Sequence, residues 1–227
     1  KRPVTYTYRP TLALSKITAG RNVNIDMGPH PMALMTAAVT CGGDLTMIPT
    51  TTNISTLTIY SGTTNGAGPD YGALVAVTGD VVLATNCWIY PCSDPTNGGA
   101  ALFRLRNLII GTNAGFIADS RGYLTTNCPG AGGQRAGGGH GGNGGTGFGA
   151  GGATYGSSNS PIASGSVGGA DSPANISWGG GVARITAERA IMVDGLISAD
   201  GQSPGGDRGG GAGGSVFLSC RTLSGTS

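Results

Sequence analysis

Charged side chains are scarce. Lys and Arg number 13 and Asp and Glu 11, so 11% of the 227 residues are charged and the formal net charge is +2. Spread along the chain, this charge builds no basic stripe of the kind that binds nucleic acid. The one Arg-Gly-Gly, at Arg208-Gly209-Gly210, reads as part of a glycine run. Histidine is nearly absent: His30 lies between prolines and His140 among glycines, and neither shows the oriented partner that a catalytic imidazole needs. No run of 18 apolar residues occurs, so no membrane-spanning segment is expected. Helical periodicity is missing as well. The chain begins Lys1-Arg2-Pro3 with no Met and no signal-peptide core, which predicts a processed or excised chain.

Zinc spacing is also lacking. Cys41, Cys87, Cys92, Cys128 and Cys220 include no Cys-x-x-Cys with a matching second pair. Two disulfides with one thiol left over is the expectation, and Cys87 and Cys92, across Trp-Ile-Tyr-Pro read as a tight turn, are the first pair; such bonds belong to oxidising compartments. Asn53-Ile-Ser and Asn175-Ile-Ser are glycosylation acceptors that would suit a secreted surface. Gly-x-Gly-x-x-Gly matches are unavoidable in this composition and imply no nucleotide; no cofactor is expected.

Glycine is what the chain has most of, at 45 residues, with 12 prolines. Between Pro129 and Ala153, 14 of 25 residues are glycine, and from Gly138 small residues recur every three positions. Three is the period of the polyproline II helix, which needs glycine wherever ribbons of it pack closely. Composition alone would equally fit a flexible linker. Against a linker stand the large residues Arg135, His140, Phe148, Tyr155 and Trp178, and the strand-like sequence that follows. The tract is therefore expected to be ordered. Its aromatics Phe148, Tyr155 and Trp178 read as apolar pegs holding glycine ribbons, or as rings that stack on sugars.

Outside the tract, hydrophobic residues at 38% of the chain supply a core. They come as short alternating runs broken by Gly, Asn, Asp or Pro, the signature of strands and turns. One phrase recurs: strand, polar corner, strand. Its anchors Val23, Leu45, Val81, Leu108, Ile191 and Leu223 are separated by 22, 36, 27, 83 and 32 residues. Spacings near one coil length, lengthened by insertions, are those of a solenoid. The predicted fold is all-β, a right-handed parallel β-helix. It forms one domain over 1–227, with a glycine-rich insertion at 129–181 packed as polyglycine II-like ribbons and a shorter glycine-rich loop at 201–214. The acids mostly stand at turns, where Asp bonds its own backbone. Asp119 and Asp200 end equivalent phrases and could stack as a carboxylate pair or Ca²⁺ site, the turn reading being the plainer one.

Gly-Gly-Gly-His-Gly-Gly at 137–142, Tyr155-Gly-Ser, Gly-Gly-Gly at 179–181, Ile197-Ser-Ala-Asp-Gly and Gly-Gly-Ala-Gly-Gly-Ser at 210–215 together resemble glycine-rich β-repeat proteins of microbial and protist surfaces. The resemblance covers about residues 129–225 and carries no catalytic residues. It implies an extracellular, structural or adhesive role. Residues 130–152 are also similar to phage tail-fibre tip adhesins with polyglycine II layers.

The expected function is a subunit or repeat segment of a self-assembling extracellular fibre, sheath or surface layer, and not an enzyme. The alternatives are a carbohydrate-binding adhesin taking surface glycans and, third, a polysaccharide-acting enzyme. Head-to-tail homopolymerisation is expected through strands holding Tyr6 and Tyr8 at one end and Val216 and Leu218 at the other, because an uncapped coil exposes apolar faces and unpaired backbone.

Overall fold

The computed structural model describes residues 11–14, 16–26, 33–49, 52–62, 70–172 and 175–226, and Tyr6, Tyr8 and His30 lie outside these. Among the described residues the chain is all-β, with eighteen short strands and no α-helix. The first six are β1 (Thr11–Leu14), β2 (Ile17–Ala19), β3 (Val23–Ile25), β4 (Ala33–Thr36), β5 (Val39–Cys41) and β6 (Leu45–Met47). Next come β7 (Ser55–Tyr60), β8 (Ala73–Val77), β9 (Val81–Leu83), β10 (Cys87–Cys92), β11 (Ala101–Leu105) and β12 (Leu108–Ile110). The last are β13 (Gly115–Ile117), β14 (Val182–Ala187), β15 (Ala190–Val193), β16 (Leu196–Ser198), β17 (Ser215–Ser219) and β18 (Thr222–Ser224).

Every third strand joins the same sheet. The first sheet runs β1-β4-β7-β10-β13-β16, the second β17-β14-β11-β8-β5-β2 and the third β18-β15-β12-β9-β6-β3. The pairings are parallel, and a parallel pair needs a crossover. Here the two intervening strands supply it, each lying in one of the other two sheets.

Register puts like opposite like. Val23, Leu45, Val81, Leu108, Ile191 and Leu223 face one another in turn across the third sheet. Ile17, Val39, Val75, Phe103, Ile185 and Leu218 do so across the second. Leu57, Ile89, Phe116 and Ile197 do so across the first. Side chains alternate faces along a strand, and the burial of β8, β9 and β10 alternates accordingly. Most of these apolar columns form one core cluster, in which Phe103 and Phe116 meet edge to face with centroids 5.0 Å apart.

The corners between the second and third sheets are cross-linked between passes. Backbone bonds stack Arg21, Gly43, Gly79, Arg106, Arg189 and Arg221, each N–H donating to the carbonyl of the residue before it in this series at 2.7–3.2 Å. Beside them runs a column of Asx side chains. Asn22 Oδ1 accepts the Asp44 N–H at 3.0 Å, Asp44 Oδ1 the Asp80 N–H at 2.8 Å, and Asn107 Oδ1 the Ala190 N–H at 3.1 Å. Asp80 Oδ1 accepts from Asn107 Nδ2 at 2.7 Å and Arg106 Nε at 2.8 Å. A short acceptor side chain at a turn satisfies a backbone N–H that the corner would leave unpaired. Gly79 leaves room for it, since a Cβ there would fall 2.1 Å from Asp44 Oδ1. Where the third sheet leads back to the first, Asn86 and Asn113 occupy the left-handed region at φ 65° and 51°, which Asn tolerates better than most residues.

Two expectations follow for stability. Leu108→Ala, at a fully buried position of the third-sheet column, should destabilise by about 2–5 kcal/mol in urea unfolding. Hydrogen bonding from Arg106 holds the Asp80 carboxyl below its ordinary value. A carboxylate depressed in the folded state contributes stability above the unfolded value of about 4, and that contribution is lost as pH falls through the lower folded value. Asp80→Asn should therefore show a shallower loss of thermal stability below about pH 4 than the parent chain. Identical acid limbs would show that this carboxylate is not coupled to folding.

Candidate functional site

Between β13 and β14 the chain leaves the three sheets for a stretch from Ala118 to Gly181 whose described residues form no strand, longer at its start than the expected 129–181. The shorter loop between β16 and β17 joins the same unit: Gly209 N–H donates to the Gly169 carbonyl and Gly180 N–H to that of Ala212. The bonds close in triangles. Gly137 donates to Gly145 at 2.9 Å, the adjacent Gly144 to Gly152 at 2.8 Å, and Gly152 back to Gly137 at 2.9 Å. A second triangle joins Gly165 to Gly180, Gly180 to Ala212, and Ala212 to Ser166. In a sheet the first and third strands never bond, so three mutually bonded ribbons are a different packing. It works only without side chains: a Cβ on Gly179 would lie 1.8 Å from the Gly165 oxygen, and one on Gly169 1.7 Å from that of Gly133.

A small apolar cluster anchors this unit, built on Tyr123, Val167 and Ile176 with Cys128, Ala131 and Tyr155 against it. The Tyr155 hydroxyl donates to the Ser164 carbonyl, and burial pushes its pKa upward. The three aromatics expected to act as pegs are not alike. Tyr155 is partly buried in the cluster, whereas Phe148 is 76% exposed and Trp178 43% exposed. Phe148 is no peg; its ring lies under the Arg135 guanidinium, 4.9 Å from the centroid. Arg135 in turn ion-pairs with Asp171 and, at 3.2 Å, with Asp207, tying three segments together. Sequence reading passed over Tyr123, whose ring occupies the space beside Gly98, and over this arginine clasp, because their partners are 25 or more residues away.

A groove of about 770 Å³ runs between the ribbons and β17, lined among others by His140, Asn143, Thr154, Tyr155, Ser157 and Val216. His140 Nδ1 is 2.9 Å from the Gly213 carbonyl oxygen, which can only accept, so Nδ1–H donates. The ring packs on Tyr155 at 5.0 Å, tilted 48°. Asn143 Oδ1 accepts from the N–H and hydroxyl of Thr154. Among the described residues no Asp, Glu, Lys or Arg lines the groove. Its chemistry suits a neutral, hydroxyl-bearing ligand. Comparison with known proteins finds no matching family model, no similar curated protein and no similar solved structure.

The expected disulfide is overturned. Cys87 and Cys92 are the two ends of β10, which is extended throughout, with no turn between them. Residues five apart in a strand stand about 16 Å apart on opposite faces, far beyond the roughly 7 Å Cα separation a disulfide spans. All five cysteines are free thiols. Cys41 and Cys87 are core residues whose thiols point at the carbonyls of Arg21 and Met47, and burial raises Cys87 to about 11. Cys92 is on the outer face near Arg121, while Cys128 and Cys220 are half-buried. Asp119 and Asp200 do meet, on adjacent passes, with the carboxylate of one bonded to the backbone of the other: Asp119 Oδ1 accepts the Asp200 N–H at 2.8 Å. Among the described residues no group of three His, Cys, Asp or Glu could hold a metal. Asn175 is exposed and Asn53 half-buried.

The triangles make a paired test. Gly179→Ala should destabilise by about 1–3 kcal/mol or more, because its methyl meets backbone that cannot move aside. Gly145→Ala meets nothing within 4 Å and should change stability by less than about 0.5 kcal/mol. Equal effects in thermal unfolding would mean that close ribbon packing does not hold this unit.

Proposed function

We propose that the chain is a segment of a right-handed parallel β-solenoid, with its glycine ribbons packed as in polyglycine II, and that its role is structural, in an extracellular fibre, sheath or surface layer. The observation that carries this reading is the equivalence of successive passes: apolar columns, stacked corners and Asx caps all repeat along the three sheets. A stack of this kind makes a stiff rod that binds to its own next rung. The carboxylates support a non-catalytic role, since Asp44, Asp94, Asp119 and Asp194 accept backbone N–H groups at turns. A surface setting follows the resemblance to glycine-rich surface proteins.

Assembly of the chain with its own copies is part of this proposal. Among the described residues β16, β17 and β18 pair on one side only, and Leu196, Val216 and Leu223 are 49%, 42% and 61% exposed. Open edges with apolar residues invite pairing, and a contact between unlike ends propagates as a filament. Electron microscopy and light scattering of the purified chain should reveal filaments. Val216→Lys and Leu223→Lys should stop assembly with the circular dichroism spectrum unchanged; Leu218 packs against the core and is less suited to the test. A dispersed monomer at high concentration would overturn this reading. The groove at His140 favours a second one, an adhesin for uncharged glycans, which predicts neutral-glycan binding that His140→Ala removes.

A further inference from the structure

The stacked corner between the second and third sheets places three arginines, Arg106, Arg189 and Arg221, on consecutive passes. Neighbouring strands lie about 4.8 Å apart, and like charges directly opposite one another destabilise a sheet. For Arg106 the earlier passes compensate, with Asp80 at 2.8 Å and Asp44 at 3.7 Å. Nothing equivalent serves the next two. Among the described residues Arg189 and Arg221 make no ion pair, although their corners are bonded directly, Arg221 N–H to the Arg189 carbonyl at 2.7 Å. Both residues line a groove of about 460 Å³ together with Glu188, Ala190 and Thr222.

We propose that Arg189 and Arg221 form a binding site for the oxoanion groups, sulfate or carboxylate, of an acidic polysaccharide. Two arginines on adjacent passes, lining one groove, bring two forked N–H donor sets to the same place, and such forks bind planar or tetrahedral oxoanions. The anion relieves the repulsion that the stack imposes. Glu188 and the Thr222 hydroxyl supply acceptors and a donor for neighbouring sugar hydroxyls. Nucleic acid is a poorer fit: Arg106, the next arginine along the stacked corner, is already paired with Asp80 and Asp44, so the run of unpaired arginines on this corner is two residues long among the described passes that adjoin it. The site is on the outer corner of the stack, goes beyond the structural role and does not depend on it.

The test is calorimetric titration of the full chain with dextran sulfate, polygalacturonate, neutral dextran and a DNA duplex, at low and at physiological salt. Binding of one or both acidic polysaccharides is expected, weakening as salt rises, and the two acidic arms tell sulfate from carboxylate. The double variant Arg189→Gln, Arg221→Gln should lose at least about tenfold in affinity. The corresponding Lys pair, which keeps charge without the fork, should fall between. Arg21→Gln, on the same corner but away from the groove, should bind as the parent does. Unchanged binding by the Gln pair with its fold intact, equal binding of neutral dextran, tighter binding of DNA than of either polysaccharide, or no binding of any would each overturn the proposal.

Discussion

Parallel pairing in register is the constraint from which the other features descend. Each residue faces its equivalent on the next pass, so whatever a position contributes is met by a copy of itself one strand away. Apolar residues benefit, because columns such as Val39, Val75, Phe103 and Ile185 bury one another continuously. Asp and Asn benefit too, since a side-chain oxygen reaches the N–H of the next corner. Charge does not, and at the corner the Arg106 guanidinium offsets the two carboxylates of the preceding passes, Asp80 and Asp44. Among the described residues Arg189 and Arg221 have no such carboxylate partner.

The glycine unit answers a different problem. Sixty-odd residues outside the sheets must satisfy their backbone groups without a ladder, because an unpaired buried N–H or C=O is costly. Closed triangles of ribbons do so in three dimensions, and the absence of side chains is what allows backbone to approach backbone. Glycine loses more conformational freedom on ordering than any other residue. The offset comes from the hydrogen bonds, from the Tyr123–Val167–Ile176 cluster and from the Arg135 clasp.

These two packings meet at β17. On one side it completes the second sheet beside β14, and on the other the ribbon residues Gly213 and Gly214 lead into it past His140. The neutral groove therefore stands at the junction between a rigid stack and the glycine unit, while the arginine corner lies where the second and third sheets meet, on residues of a separate groove. One chain thus presents two surfaces of opposite chemical character.

The repeating part was legible from sequence because its causes are local. Alternation sets which face of a strand is buried, Gly-Asp and Arg-Asn pairs mark corners, and the six anchor positions read from one phrase stand opposite one another in one sheet. The glycine tract stood out in the sequence through its three-residue period. Its partners were not legible, since a ribbon carries no side-chain code for which ribbon it will bond, and Gly137 finds Gly145 and Gly152 only once the chain has folded. The cysteines were misread for a related reason: Trp-Ile-Tyr-Pro between them has the composition of either turn or strand, and pairing of β10 with β7 settles it as strand. Likewise Phe148 was exposed and Tyr123 buried by contacts with residues distant in sequence. Local pattern determined the strands, corners and apolar faces, where each residue's environment is set by near neighbours; the tertiary structure alone decided the ribbon partners, the grooves and the unpaired arginines, which depend on what stacking brings together.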